Sequence, residues 1–290
     1  MSSSEACAIT EPESYMTFAA TGIQRRIYGV DFSGAKDAGR KIWVSEGFVE
    51  TGELVIVKCY PVSELVPGKV KDRDVCLSAL CDLIVSDKKS VFGMDFPFSL
   101  PRQLMSGKDW YSFISDFPHE YPSADQFRKA MQVAGGRSEL KRLTDVEVKA
   151  PFSIYNLWVF KQTYHGIRDV VHPLVMADKV CAIPMQSPHE SKPWIMEVCP
   201  ASTLKSEGLY ISYKGRSEKE KRTREYILDE LLHKGITIRE ALRETIINNK
   251  DGDALDSLIA AYATFRSVRK LDDVIGNLPD IYLREGYTFF

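Results

Sequence analysis

The first half of the chain is marked by short apolar runs that stop abruptly in polar loops. Residues 27–31 (IYGVD) form the first such run, and the polar stretch 32–40 follows it. Residues 41–48 (KIWVSEGF) and 54–60 (LVIVKCY) come next, separated by a Glu50-Thr51-Gly52 turn. Both are rich in β-branched and aromatic side chains, so they predict strands, and the three runs together predict an antiparallel meander. Residues 72–86 change to helical spacing, with Cys76, Leu80, Leu83 and Ile84 on one face. Residues 91–95 (VFGMD) predict a further strand, stopped by Pro97 and Pro101.

From about residue 102 to 192 the pattern is mostly helical, over 124–133, 140–149 and parts of 155–179, with Gly135-Gly136 as a break. This stretch reads as a helical insertion that caps the domain. Strand character returns at 194–199 (WIMEVC) and ends at Pro200. Helices are predicted at 216–233, 238–247 and 253–268, and the apolar end 286–290 is expected as a small strand or a packed tail. The expected product is one α/β domain over residues 26–290: a mixed five-stranded sheet, a meander then parallel strands, with flanking helices. Residues 1–25, which contain Ser, Glu and Pro, are expected to form a flexible arm.

Composition changes this picture little. A chain of 290 residues with 44% apolar and 27% charged side chains can bury a large core. Its 38 basic and 40 acidic side chains leave a net charge of -2, which neither requires nor excludes a nucleic-acid partner, because a local basic patch suffices. Its 6 cysteines form no CxxC pair and read as small buried hydrophobes in a reducing compartment. No run of 18 apolar residues and no basic-then-apolar leader occur, so no membrane span is expected and a cytoplasmic location is the default. The 5 histidines show no zinc spacing, and hydrolase-elbow, P-loop and dinucleotide motifs are missing.

The candidate chemistry is acidic. Asp31 and Asp95 each close an apolar strand, and ligands of open α/β sheets bind beyond the carboxyl ends of strands. Asp253 and Asp256 are spaced to share one face of a helix at its first turn, where negative charge is favourable, although Asp253 or Asp251 can equally cap that helix. Glu197 lies inside a strand-like run, where an isolated carboxylate is costly unless paired or bound to metal. Carboxylates crowded together repel without a cation, and hard oxygen ligands suit Mg²⁺ or Mn²⁺. Two such ions can activate water and stabilise the leaving oxygen of a phosphodiester.

Five segments carry a resemblance: GVDFSGAK at 29–36, FGMDFPFSLP at 92–101, MEVCPASTLK at 196–205, DGDALDSLIAAYATF at 251–265 and REGYTFF at 284–290. In their order they resemble the ribonuclease-H-like superfamily of nucleases. More closely, they are similar to the family termed domain of unknown function 429, a group of predicted nucleases of that fold. The resemblance implies a ribonuclease-H-like sheet and a two-metal nuclease that leaves a 5′-phosphate and a 3′-hydroxyl. It implies Asp31 and Asp95 as the first- and fourth-strand acids, and Asp253 and Asp256 as a late-helix pair like that of Holliday-junction resolvases. Glu197 belongs to the family motif but has no fixed counterpart in the superfamily.

Weaker candidates surround this set. Ser33 and Lys36 follow Asp31 and can touch a phosphate. Arg137 and Arg142, with Lys141 and Lys149, can line a groove for backbone phosphates, and Lys205 can sit at the site entrance. Trp110, Tyr111, Tyr155 and Trp158 can stack on bases, but core packing suits most of them as well. Two other classes stay open: a nucleic-acid-binding or regulatory protein without catalysis, and an ATP-dependent phosphotransferase of the actin or sugar-kinase type. The second normally needs two copies of the folded unit, and the strand-one motif occurs once.

Overall fold

Strand β1 (Arg26–Asp31) pairs antiparallel with β2 (Trp43–Glu50), and β2 pairs antiparallel with β3 (Glu53–Pro61), so the expected meander forms. Helix α1 (Arg73–Ser86) starts at Asp72, whose side chain accepts hydrogen bonds from the N–H groups of Asp74 and Val75. The chain then returns as β4 (Ser90–Met94), parallel to β1. This computed structural model describes residues 25–136, 139–150 and 152–290. The arm expected over 1–25 therefore lies outside the described residues, except for Arg25.

The insertion supplies α2 (Trp110–Glu120), α3 (Ala124–Gly135), α4 (Leu143–Glu147) and α5 (Phe160–Gly166), and the last continues through a π-helical turn, Ile167–Val171, into His172–Met176. Strand β5 (Cys181–Ile183) and strand β6 (Trp194–Val198) follow, then α6 (Pro200–Ser206), α7 (Glu218–His233), β7 (Ile236–Ile238), α8 (Glu240–Asn248), α9 (Asp253–Val268) and β8 (Thr288–Phe289).

The sheet is mixed and has eight strands in the order β5-β6-β4-β1-β2-β3-β7, with β8 paired to β6. The expectation of five is corrected by β5, β7 and β8, which are three, three and two residues long. Segments that short cannot display a period of two, and only pairing with a neighbour makes them strands. β5 also ends the helical insertion before residue 192.

Alternate residues of the strands face two separate cores. Tyr28, Val30, Phe92, Met94 and Ile195 pack beneath α1 and the insertion, against Trp110, Phe113, Phe117, Phe127 and Tyr164. Ile27, Val91, Trp194 and Met196 face α7 and α9, through Ile227, Leu231, Leu255, Leu258 and Ile259. The insertion thus covers one face of the sheet together with α1 and shares its core. Among the described residues no helix is long and apolar enough to cross a membrane.

Helix α9 is buried along all of its length except Arg266. Its seat is made by two glycines. Gly29 and Gly93 are register partners on β1 and β4. A Cβ on Gly29 would stand 2.0 Å from the amide nitrogen of Ala261 and 2.1 Å from the carbonyl oxygen of Ser257; one on Gly93 would stand 1.8 Å from Oγ1 of Thr264. The helix therefore lies on the bare backbone of the two strands that end in Asp31 and Asp95, and its first turn is carried to their ends. Gly29→Ala must move backbone and not a flexible tip, so it is expected to cost about 3 kcal/mol, read as a lowered midpoint in urea with an unchanged slope.

Candidate functional site

β1 ends at Asp31, and the amide of Asp95, just past β4, donates to the carbonyl of Val30 at 3.0 Å. The two acids are thus held beside each other at the carboxyl edge of adjacent parallel strands. α9 brings Asp253 and Asp256 to the same place. Its N-cap is Gly252, at φ 84°, and Asn249 accepts from the amide of Ala254. Neither Asp251 nor Asp253 caps the helix. Asp251 pairs instead with Lys41, whose Nζ is 2.5 Å from its Oδ2.

All four acids are mostly buried, and their electrostatics record the crowding. Burial, and then the charge of Asp256, raise Asp31 well above the ordinary carboxylate range. Burial and Asp256 raise Asp95 to about 8. Burial raises Asp253 to about 6, against the opposing pull of Lys214 and Lys41. Oδ2 of Asp253 is buried without a hydrogen-bond donor, and its nearest cation, Lys41 Nζ, is 3.9 Å away.

Two neighbours hold this set and carried no signal in the sequence. Tyr213 donates from its hydroxyl to Oδ1 of Asp256 at 2.5 Å. Lys214 places Nζ 2.5 Å from Oδ2 of the same carboxylate. Desolvation lowers the Lys214 ammonium, but Asp256, Asp31 and Asp253 outweigh it and the net shift is upward. Both residues sit in the segment between α6 and α7, where no periodicity marks which side chains turn inward. They pack against Gly252, so the loop and the start of α9 are fitted together.

Glu197 and Arg142 are corrected together. Glu197 is 3% exposed, and although its charge adds to the rise of Asp95, both of its oxygens are spent on other partners. Its Oε1 accepts from Arg142 Nη2 (2.6 Å) and Thr288 Oγ1 (2.7 Å), and its Oε2 from Arg142 Nη1 (2.7 Å) and the amide of Phe98 (2.9 Å). Arg142, 1% exposed, also bonds Asp145, and its guanidinium is spent on these carboxylates at the wall of a small pocket of about 120 Å³ that Asp95 and Glu197 also line. This buried network ties insertion, sheet and C-terminal strand together. Arg137 lies outside the described residues.

Ser33 Oγ accepts from the amide of Ala35, closing its own turn, while Lys36 is exposed. Lys205 donates to the carbonyl of Lys149 and stands 4.9 Å over the ring of Tyr210. Trp110 and Tyr155 belong to the core, and Tyr111 and Trp158 are exposed. Cys199, close to Asp95, is pushed up to about 12 by burial and remains a thiol.

Two of the acids, Asp95 and Asp256, open onto a cleft of about 480 Å³ that Tyr213, Lys214, Pro200, Tyr210 and Ile211 also line. Among the described residues no three His, Cys, Asp or Glu side chains stand in ligating geometry; Lys214 offsets part of the charge of the acids. The donor set still fits a hard divalent cation. Its members are oxygens alone, and one buried oxygen, Oδ2 of Asp253, has no donor of its own. Comparison with family models, with curated proteins and with solved structures returns no match for this chain.

Proposed function

We propose that this protein is a metal-dependent phosphodiesterase acting on nucleic acid, built on a ribonuclease-H-like frame. The observation that carries this reading is the meeting of Asp31, Asp95, Asp253 and Asp256 at one edge of the sheet, beside an open cleft. The frame is supported by the meander β1-β2-β3 flanked by parallel β4 and β6, and by α9 lying across β1 and β4.

Asp31, Asp95, Asp253 and Asp256 are the residues that would hold Mg²⁺ or Mn²⁺. Bound there, the cation supplies Lewis-acid stabilisation of the charge that builds on a phosphodiester under attack by water. The chain's own groups do the rest. Tyr213 fixes the rotamer of Asp256 through its hydroxyl. Lys214, whose side chain is 54% exposed, can leave Asp256 and turn its ammonium to a substrate phosphate in the cleft. Asp95, near 8, holds a proton at neutral pH in the metal-free protein and releases it when positive charge arrives.

The test is a Mg²⁺- and Mn²⁺-dependent cleavage assay over single-stranded, duplex and branched DNA and RNA, run beside Asp31→Asn. The variant is expected to lose about 100-fold or more; an unchanged rate would overturn the mechanism. The Lys214–Asp256 ion pair favours a second reading, a nucleic-acid-binding protein without catalysis. Binding without cleavage by the parent would establish that reading.

Metal affinity carries a pH signature. A cation competes with protons on Asp253 at about 6 and Asp95 at about 8. Affinity is therefore expected to rise with pH through this window and to level off above it, as read by Mn²⁺ titration calorimetry at a series of pH values. Saturating metal at roughly 100 times Kd should add about 2.7 kcal/mol of stability.

A further inference from the structure

A second hollow adjoins the acidic cleft. Ile211 borders both the cleft beside Asp256 and a groove of about 530 Å³ along the first turns of α7. The groove is walled by Glu218, Lys219, Arg222, Thr223 and Tyr226. Tyr210, Ile211 and Tyr226 are 53%, 46% and 49% exposed. These three large side chains stand exposed beside charged groups, Tyr210 next to Lys205 and Tyr226 in the same groove as Lys219 and Arg222.

The groove carries two cations, Lys219 and Arg222, against one acid, Glu218. Glu220 is spent on the helix start, where its carboxylate accepts from Ser217. Arg222 is held only loosely by Glu218, at 3.8 Å, and its side chain is 78% exposed. Lys205 stands over Tyr210, and Lys214 marks the cleft end. Exposed aromatic rings and cations beside an acidic centre fit a chain of planar bases joined by phosphates. A duplex keeps its base faces inside the stack, whereas an unpaired strand offers them.

Resting on the reading of the cleft as a phosphodiesterase site, we propose that this groove is the track of the unpaired strand flanking the scissile phosphodiester. Bases stack on Tyr210 and Tyr226, and phosphates lie against Lys219 and Arg222. The substrate class is single-stranded nucleic acid, and one flank of the cut strand leaves the acids over Ile211.

The experiment measures fluorescence anisotropy of labelled oligothymidylate and oligouridylate of about eight nucleotides, and of a duplex of equal length, with the full chain in EDTA. Tyr226→Ala is expected to weaken single-strand binding about tenfold, and Tyr226→Phe, which keeps the ring, by less than about twofold. Arg222→Gln should lower the slope of log affinity against log salt by about 0.7, the share of one phosphate contact. The duplex should bind about tenfold more weakly than the better single strand, and the tighter of the DNA and RNA oligomers names the preferred sugar. Tyr226→Ala binding like the parent, or a duplex binding as tightly as a single strand, would overturn the track. Hydrolysis of bis(p-nitrophenyl) phosphate, too short to reach Tyr226, reads the acids separately. Hydrolysis without oligonucleotide binding sinks the track and leaves the phosphodiesterase reading standing. Tyr226-dependent binding without hydrolysis of either substrate sinks the phosphodiesterase reading, and with it the scissile bond, and keeps only the groove's single-strand binding.

Discussion

Metal-free protein carrying Asp31→Asn is expected to unfold at a higher temperature than the parent at pH 8, and at nearly the same temperature near pH 4, while its metal-dependent cleavage is lost. The sign follows from proton linkage. Asp31 lies well above its ordinary range and Asp95 lies near 8, both through burial and then the charge of Asp256. A carboxyl raised in the folded state binds more protons folded than unfolded between its two pKa values. Its contribution to stability is therefore fully present below about pH 4 and is lost as pH rises through the folded value, which for Asp95 is about 8. Asparagine removes one charge from the cluster and relieves its neighbours. Each pKa unit is about 1.4 kcal/mol, but the acids titrate together and Lys214 offsets part of the repulsion. A net gain on the order of 2 kcal/mol at pH 8 is reasonable, or about 4–8 °C in Tm. Scanning calorimetry from pH 4 to 9 with EDTA checks it. A variant less stable than the parent across that range would mean that the acids help to hold the fold and are not strained for binding.

The second large effect concerns the buried ion network. Arg142→Met is expected to destabilise the protein by about 3–5 kcal/mol, because Glu197 and Asp145 then remain in the interior as unpaired carboxylates. The loss should reach the site as well. Oε2 of Glu197 accepts from the amide of Phe98, three residues after Asp95, so a displaced Glu197 loosens the loop that carries Asp95. Adding Asp145→Asn and Glu197→Gln to Arg142→Met removes the stranded charges and should restore part of the stability, which urea unfolding of single and combined variants measures. Simple additivity of the three losses would show that Arg142, Asp145 and Glu197 do not act as one unit.

The contrast between these two acidic groups shows where reading from residues succeeds. Asp31 and Asp95 are legible because each ends an apolar run, and parallel neighbours then share an edge. Asp253 and Asp256 are legible because a helical pattern begins at them. Glu197 shares the same letter-level signal, a carboxylate in an apolar run, and yet meets Arg142 from 55 residues away. Nothing local distinguishes a carboxylate neutralised by a distant guanidinium from one awaiting a cation. Arg142 misleads for the same reason: a basic stretch reads as a solvated or phosphate-facing surface until its burial is known.

Local pattern thus determined the long elements, the meander, the helical character of the insertion and the four acids that end or begin them, because periodicity and strand-end position are properties of neighbouring residues. Only the tertiary structure decided that β5, β7 and β8 widen the sheet to eight strands, that α9 rests on Gly29 and Gly93, that Tyr213 and Lys214 close on Asp256, and that Glu197 belongs with Arg142. Each of these depends on which distant backbone or charge stands opposite, and burial sets its energy, so it has no signature in any short window of sequence.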